Sequence, residues 1–134
     1  MAKGDQIYTI RDVWKTSNVY EHHGIDCGDD TVIHYQKLSE PEIARTSMTT
    51  FTAGRQLYTK YYKVCLLPDV VIQRAESRLG EKDYNFFLNN CEHFANWCKT
   101  GKHFSWQPMK HSHKLFWVFF DHLRSLKDFP VNKL

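Results

Sequence analysis

Residues 22–34, "HHGIDCGDDTVIH", place three histidines around a Gly-Asp-Asp turn, and the length of that turn decides which of them can meet. The alternation on either side is that of a β-hairpin. Strand side chains alternate between faces, so slipping the pairing by one residue exchanges the faces. A two-residue loop, Asp29-Asp30, pairs Gly28 with Thr31 and sets His23 on the face of His34. A three-residue loop, Gly28-Asp29-Asp30, pairs Cys27 with Thr31, sets Gly24 opposite His34 and brings His22 onto its face. The longer loop fits better, because it needs one left-handed residue, which Asp tolerates, whereas a two-residue turn favours Asn-Gly or Asp-Gly. It predicts His22 and His34 on one face, and Ile25, Cys27, Ile33 and Tyr35 on the other as core.

Outward from the hairpin, "QIYTIRD" (residues 6–12) alternates as a half-buried strand, and "RQLYTKYYKV" (55–64) reads as another. Residues 38–54 are polar, with Pro41 and several threonines, and read as a loop or irregular strand. Pro68 and Asp69 open a short helix over "VVIQRAESRL", with Asp69 as its cap and Gly80 at its end. A second helix follows in "NNCEHFANWCKTG" (89–101): Asn89 with Glu92 three residues on has capping-box spacing, and Lys99 followed by Gly101 closes it.

Cys91 falls in the first turn of that helix, where unsatisfied N–H groups and the positive end of the dipole favour a thiolate. Cys98 lies seven residues on, roughly 10 Å along the axis at ~1.5 Å per residue, too far for a disulfide. With Phe94 and Ala95 it reads as the core stripe. His93 projects to a different side from Cys91, so a base for Cys91 must come from elsewhere, and the hairpin histidines are the candidates.

The chain has 134 residues, of which 42% are apolar and 25% charged, which suits one hydrophobic core. No apolar leader follows "MAKGDQ", no run reaches the roughly 20 apolar residues of a membrane span, and the four cysteines lack paired spacing. A cytoplasmic location with free thiols is the expectation. Residues 102–134 hold six Lys or Arg against Asp121 and Asp128, whereas residues 1–101 are close to neutral. Leu115, Phe119, Leu123 and Leu126 recur there at helical spacing, so this basic amphipathic tail either docks on the core or lies on an anionic membrane surface. Basic charge confined to such a tail argues against nucleic acid.

The residues from His22 to His34 resemble the H-x-G-I-x-x-G-x-x-x-V-x-H box of the lecithin:retinol acyltransferase-like proteins, and "NNCEHFANWC" resembles their N-C-E-H-F box. The resemblance spans roughly residues 4–101. It implies an α+β fold, an antiparallel sheet packed against the helix that carries the cysteine, in a circularly permuted papain-like (NlpC-type) arrangement. It divides the chain into a catalytic domain, 1–101, and a tail, 102–134. By position, Cys91 matches the nucleophile, His22 the base and His34 the residue that orients it; Tyr20, two residues before the base, matches a tyrosine suited to an oxyanion. The implied reaction is acyl transfer from a glycerophospholipid through a cysteine thioester, to water, an amine or an alcohol, with no cofactor and no metal. Asp26 and Cys27 stand where relatives carry aromatic and apolar residues.

Three other readings use the same residues. Structural zinc lacks its spacing around Cys91 and Cys98, and His111 and His113 have no nearby cysteine. A papain-like amidase or peptidase would keep the Cys-His pair and change the substrate. A non-catalytic interaction module on the same fold, as in some picornaviral proteins of this type, would have no need of a complete Cys91, His22 and His34 set.

Overall fold

The computed structural model describes residues 2–13, 16–36, 41–82 and 90–102. Five strands form one antiparallel sheet: β1 (Gln6–Asp12), β2 (Val19–Asp26), β3 (Thr31–Gln36), β4 (Glu42–Ser47) and β5 (Tyr58–Lys60), in the order β4-β3-β2-β1-β5. Helix α1 (Met48–Thr52) follows β4, α2 (Pro68–Glu76) follows β5, and α3 (Asn90–Thr100) carries Cys91. The fold is α+β, as the sequence indicates. The amphipathic segment of the tail lies outside the described residues, as does Asn89.

The hairpin takes the register of the three-residue loop. Gly24 faces His34, Ile25 faces Ile33 and Asp26 faces Val32, while the Cys27 N–H donates to the Thr31 carbonyl at 2.9 Å. Asp30 supplies the left-handed residue, and Gly28 also has positive φ. Glycine is required at position 28, since a Cβ there would stand 2.7 Å from the Cβ of Lys3.

That register sorts the side chains into two layers. On one face, Ile25, Cys27, Ile33, Tyr35 and Ile43 pack against Val71 and Ala75 of α2 and Cys91, Phe94, Ala95 and Cys98 of α3. The opposite face buries Ile7 and Val32 beneath Phe51 of α1. All four cysteines are free thiols.

Three expectations about the elements need correction. Residues 42–52, read as a loop or irregular strand, form the regular strand β4 and then the helix α1, because Ile43 and Phe51 are buried on opposite faces and Ser47 caps α1 by accepting from the Thr50 N–H at 3.1 Å. Asp69 is not the cap of α2: Leu67 holds that position, and Pro68 and Asp69 lie inside the first turn, where proline needs no N–H partner and a carboxylate suits the dipole. Only Tyr58–Lys60 of the residue 55–64 segment pairs as strand, since β1 offers it three partners.

Gly24 lies where the second layer is tightest. A Cβ there would meet Val32 Cγ1 at 2.6 Å, Phe51 Cε1 at 2.9 Å and His34 Cβ at 3.1 Å. Gly24→Ala should therefore destabilise the fold by roughly 1–3 kcal/mol, the usual cost of overpacking. A urea midpoint equal to that of the native chain would refute this.

Candidate active site

Beyond Gly24 and His34 the two strands of the hairpin part. β3 continues beside β4 as far as Gln36, whereas β2 runs on beside β1 alone. Alternate main-chain groups of β2 are thus left without a β3 partner, and the start of α3 fills their place. Cys91 Sγ–H donates to the Glu21 carbonyl at 3.5 Å, and the His23 N–H faces the same sulfur. The cysteine sits at an opening in the sheet, between the layer of α3 and the layer of His22.

His22 and His34 meet on the second face, with Nε2 of the first 3.0 Å from Nδ1 of the second. Their rings are nearly perpendicular, and Phe51 covers both, its centroid 5.5 Å from one and 5.0 Å from the other. His34 Nε2 lies 2.8 Å from Thr46 Oγ1, which lies 3.3 Å from the Ser47 carbonyl. His22 Nδ1 is buried and has no hydrogen-bond partner.

One arrangement of protons satisfies every donor in this chain: His22 Nε2–H donates to His34 Nδ1, His34 Nε2–H to Thr46 Oγ1, and the Thr46 hydroxyl to the Ser47 carbonyl. The reverse arrangement lets His34 Nδ1–H use the Tyr35 carbonyl at 3.2 Å but strands a buried N–H on His22. The first order leaves a lone pair on His22 Nδ1. An imidazole in that state can accept a proton.

Burial sets the charges. His22 is held well below the usual histidine range by burial, then by the positive charge of Arg11; His34 is lowered to about 4 by burial and Arg11. Both rings are neutral at pH 7. Cys91 has no exposed surface, and burial pushes its thiol up to about 12, although the N–H groups of His23, Glu92 and Cys91 itself pull the other way. This corrects the expectation of a thiolate at the helix start: desolvation outweighs the dipole, and the resting sulfur is protonated. Tyr20 is also buried, its ring edge-on to His22 at 6.1 Å, and burial raises its pKa, so it keeps its O–H.

A second polar cluster ties β2 to α3 on the other side of the sheet. His23 Nε2 lies 3.0 Å from Glu21 Oε1 and 3.7 Å from Glu92 Oε2, and Lys60 Nζ lies 3.7 Å from Glu92. Gln6 Nε2 donates to both His23 Nδ1 and Asn96 Oδ1, at 2.8 and 2.9 Å, and the Tyr62 hydroxyl reaches Gln6 Oε1 and Asn96 Oδ1 at 2.7 Å each. Ligand atoms of Glu21, His23 and Glu92 come within 4.8 Å of one another, the one grouping of this kind among the described residues. A donor on His23 Nδ1 places the ring proton on Nε2, the nitrogen a metal would need, and Lys60 already serves Glu92. The cluster reads as a network satisfied within the protein.

Sequence reading missed Thr46, Phe51, Arg11 and the main-chain groups of Glu21 and His23. Thr46 and Phe51 fall in the stretch read as a loop or irregular strand. Arg11 had a signal: it alternates with Ile7 and Thr9 on the face that the register assigns to His22.

The depressed histidines imply acid sensitivity. Below about pH 6.5 the unfolded chain binds protons that the folded His22 and His34 refuse, so their contribution is complete above that pH and is lost as pH falls toward about 4. For His34 alone the loss is on the order of 3 kcal/mol. Urea midpoints at pH 7 and pH 5 measure it, and equal midpoints would contradict buried neutral rings.

A family model described as lecithin retinol acyltransferase matches residues 1–104. The chain belongs to that family. The plant protein LEAD-SENSITIVE 1 of Arabidopsis thaliana is 28% identical over 75% of this chain and 58% of its own length. Lecithin retinol acyltransferases of mouse and cow are 44% and 46% identical over 36% of this chain and 21% of theirs. The chain thus spans little more than half of the plant relative and about a fifth of the mammalian ones. Among the described residues of this family member, no helix is long and apolar enough to cross a membrane.

Proposed function

We propose that this chain is a cysteine-dependent phospholipid acylhydrolase or acyltransferase that works through a thioester on Cys91. The observation that carries the reading is the unpartnered, buried Nδ1 of His22, at the end of a hydrogen-bond chain through His34 to Thr46 and on the strand whose backbone holds the sulfur. Membership of an acyltransferase family supports it, and a circularly permuted papain-like arrangement is the fold that goes with it.

With thiol and imidazole both neutral at rest, the proton moves as the bond forms. Cys91 Sγ attacks the ester carbonyl while His22 Nδ1 takes the thiol proton; His34 Nδ1 accepts from His22 Nε2–H and holds the imidazolium in place. The Tyr20 hydroxyl is the donor for the oxyanion. Collapse breaks the ester C–O bond, and His22 returns the proton to the leaving lysophospholipid oxygen. Water, an alcohol or an amine, deprotonated by the same nitrogen, then releases the acyl group. Because Cys91 has no exposed surface, the site must open to admit an ester.

The test is intact mass after exposure to phosphatidylcholine vesicles, in parallel with assays on peptide amides. An acyl-sized gain on the native chain is the expected result. Cleavage of peptides with no acyl gain would replace this reading by the amidase one.

Residues 102–134 are proposed to form the membrane-surface element beside a catalytic unit of residues 1–101. Deleting residues 102–134 should lower binding to anionic vesicles several-fold, with the loss shrinking at high salt. Equal sedimentation of both forms with such vesicles would reject the assignment.

A further inference from the structure

On the His22 face, the register sets Thr9 opposite His22 and Arg11 opposite Tyr20. The Arg11 guanidinium is fixed there: Nη2 donates to the Phe51 carbonyl at 2.6 Å, Nε reaches Thr9 Oγ1 at 3.4 Å, and Cζ lies 6.0 Å from the centre of the Phe51 ring. These partners are neutral. Among the described residues Arg11 forms no ion pair, although it is only partly exposed; Lys3, Arg45, Lys60, Arg78 and Lys82 all meet carboxylates. Glu21 and Glu92 lie on the opposite side of the sheet, engaged with His23 and Lys60.

A second arginine lies four positions beyond Phe51, just past the end of α1. Arg55 follows the left-handed turn that ends α1, with its N–H donating to the Thr52 carbonyl at 2.9 Å, and its side chain is exposed and likewise without a carboxylate. Burial is the largest influence on Arg11, Tyr20 and His22, and the charge of Arg55 is a smaller one that acts downward on all three, while Arg11 in turn feels Cys91. Two like charges held beside one site without a counter-ion repel each other, and an anion between them removes that cost.

We propose that Arg11 and Arg55 form an anion subsite beside Cys91 that receives the phosphate of the lipid substrate. The assignment of the anion to a lipid rests on the function proposed above; the existence of the subsite does not. In a glycerophospholipid the phosphate and the two acyl esters hang on the three carbons of one glycerol, so an anion held next to the nucleophile delivers an ester to it. Guanidinium suits the task because its planar fork binds two phosphate oxygens at once, and Arg11 is already oriented by Phe51.

Two measurements test this on the full chain. In the first, melting is followed with sn-glycerol 3-phosphate against chloride at equal ionic strength, which needs no turnover. The native chain should melt higher with the phosphate, and Arg11→Gln and Arg55→Gln should each lose most of that rise. No rise in the native chain, or a rise that both variants keep, overturns the subsite. Arg55→Gln safeguards the result if Arg11→Gln fails to fold after losing its hold on Phe51.

The second measurement compares turnover of monomeric short-chain phosphatidylcholine with that of a monoacylglycerol of equal chain length. In both variants the ratio of the two kcat/KM values should fall roughly tenfold, mostly through KM for the phospholipid, since one charge-assisted contact is at stake. An equal fall for both substrates would assign the charge to the reacting oxyanion and overturn the phosphate assignment. If neither substrate turns over while the melting shift holds, the lipid reading fails and the anion subsite stands.

Discussion

Under the proposed mechanism, turnover of phosphatidylcholine by Cys91→Ala should fall by roughly 10⁴-fold or more and the acyl-sized mass gain should disappear. The loss is this large because no other described thiol stands at the site; Cys65 adjoins Leu66, whose N–H donates to the Lys99 carbonyl at the far end of α3. Cys98 lies two turns further along α3, wholly buried in the α2–α3 core, and burial pushes its thiol up to about 12. Cys27 shares that core face of the sheet. Only Cys91 reaches the break between β2 and β3. Alanine keeps the volume close to native, so the fold should survive with a nearly unchanged urea midpoint, which separates lost chemistry from lost structure. A variant that still acquired an acyl group would move the nucleophile elsewhere.

His22→Gln gives the second large effect, a fall of roughly 10²- to 10⁴-fold, together with a changed pH profile. With its thiol pushed up to about 12, Cys91 depends on a neighbouring base at neutral pH. His22, the proposed base, titrates below the usual histidine range, so native activity should already be level from about pH 7 upward. Without His22, the thiolate must come from solvent, and the rate should climb about tenfold per pH unit between about pH 7 and pH 10. His34→Gln should fall less, because it removes the acceptor that holds the ring and leaves the ring itself. A level profile in the His22 variant would show that another group takes the proton.

The hairpin histidines were legible because a single integer, the loop length, fixes a strand register. Once Cys27 pairs with Thr31, the alternation of side chains sends His22 and His34 to one face and Ile25 and Ile33 to the other. Helix α3 was legible for the same kind of reason: Phe94, Ala95 and Cys98 share one side by helical geometry alone. Thr46 and Phe51 were hidden because their stretch has no clean period. It changes from strand to a five-residue helix within Glu42–Thr52, and its burial is decided by what lies across the sheet.

By itself, the sequence determined the pairings set by local geometry: the hairpin register, the core stripe of α3 and the placing of Cys91 in a first turn. Tertiary structure alone decided the state of that sulfur. A helix start favours a thiolate as far as the chain's own amides reach, but the loss of water around a side chain depends on every element packed upon it, and here that loss is the larger effect. It also decided that β2 and β3 part beside Cys91, since whether a strand edge is covered by another strand or by a helix depends on residues far apart in the chain.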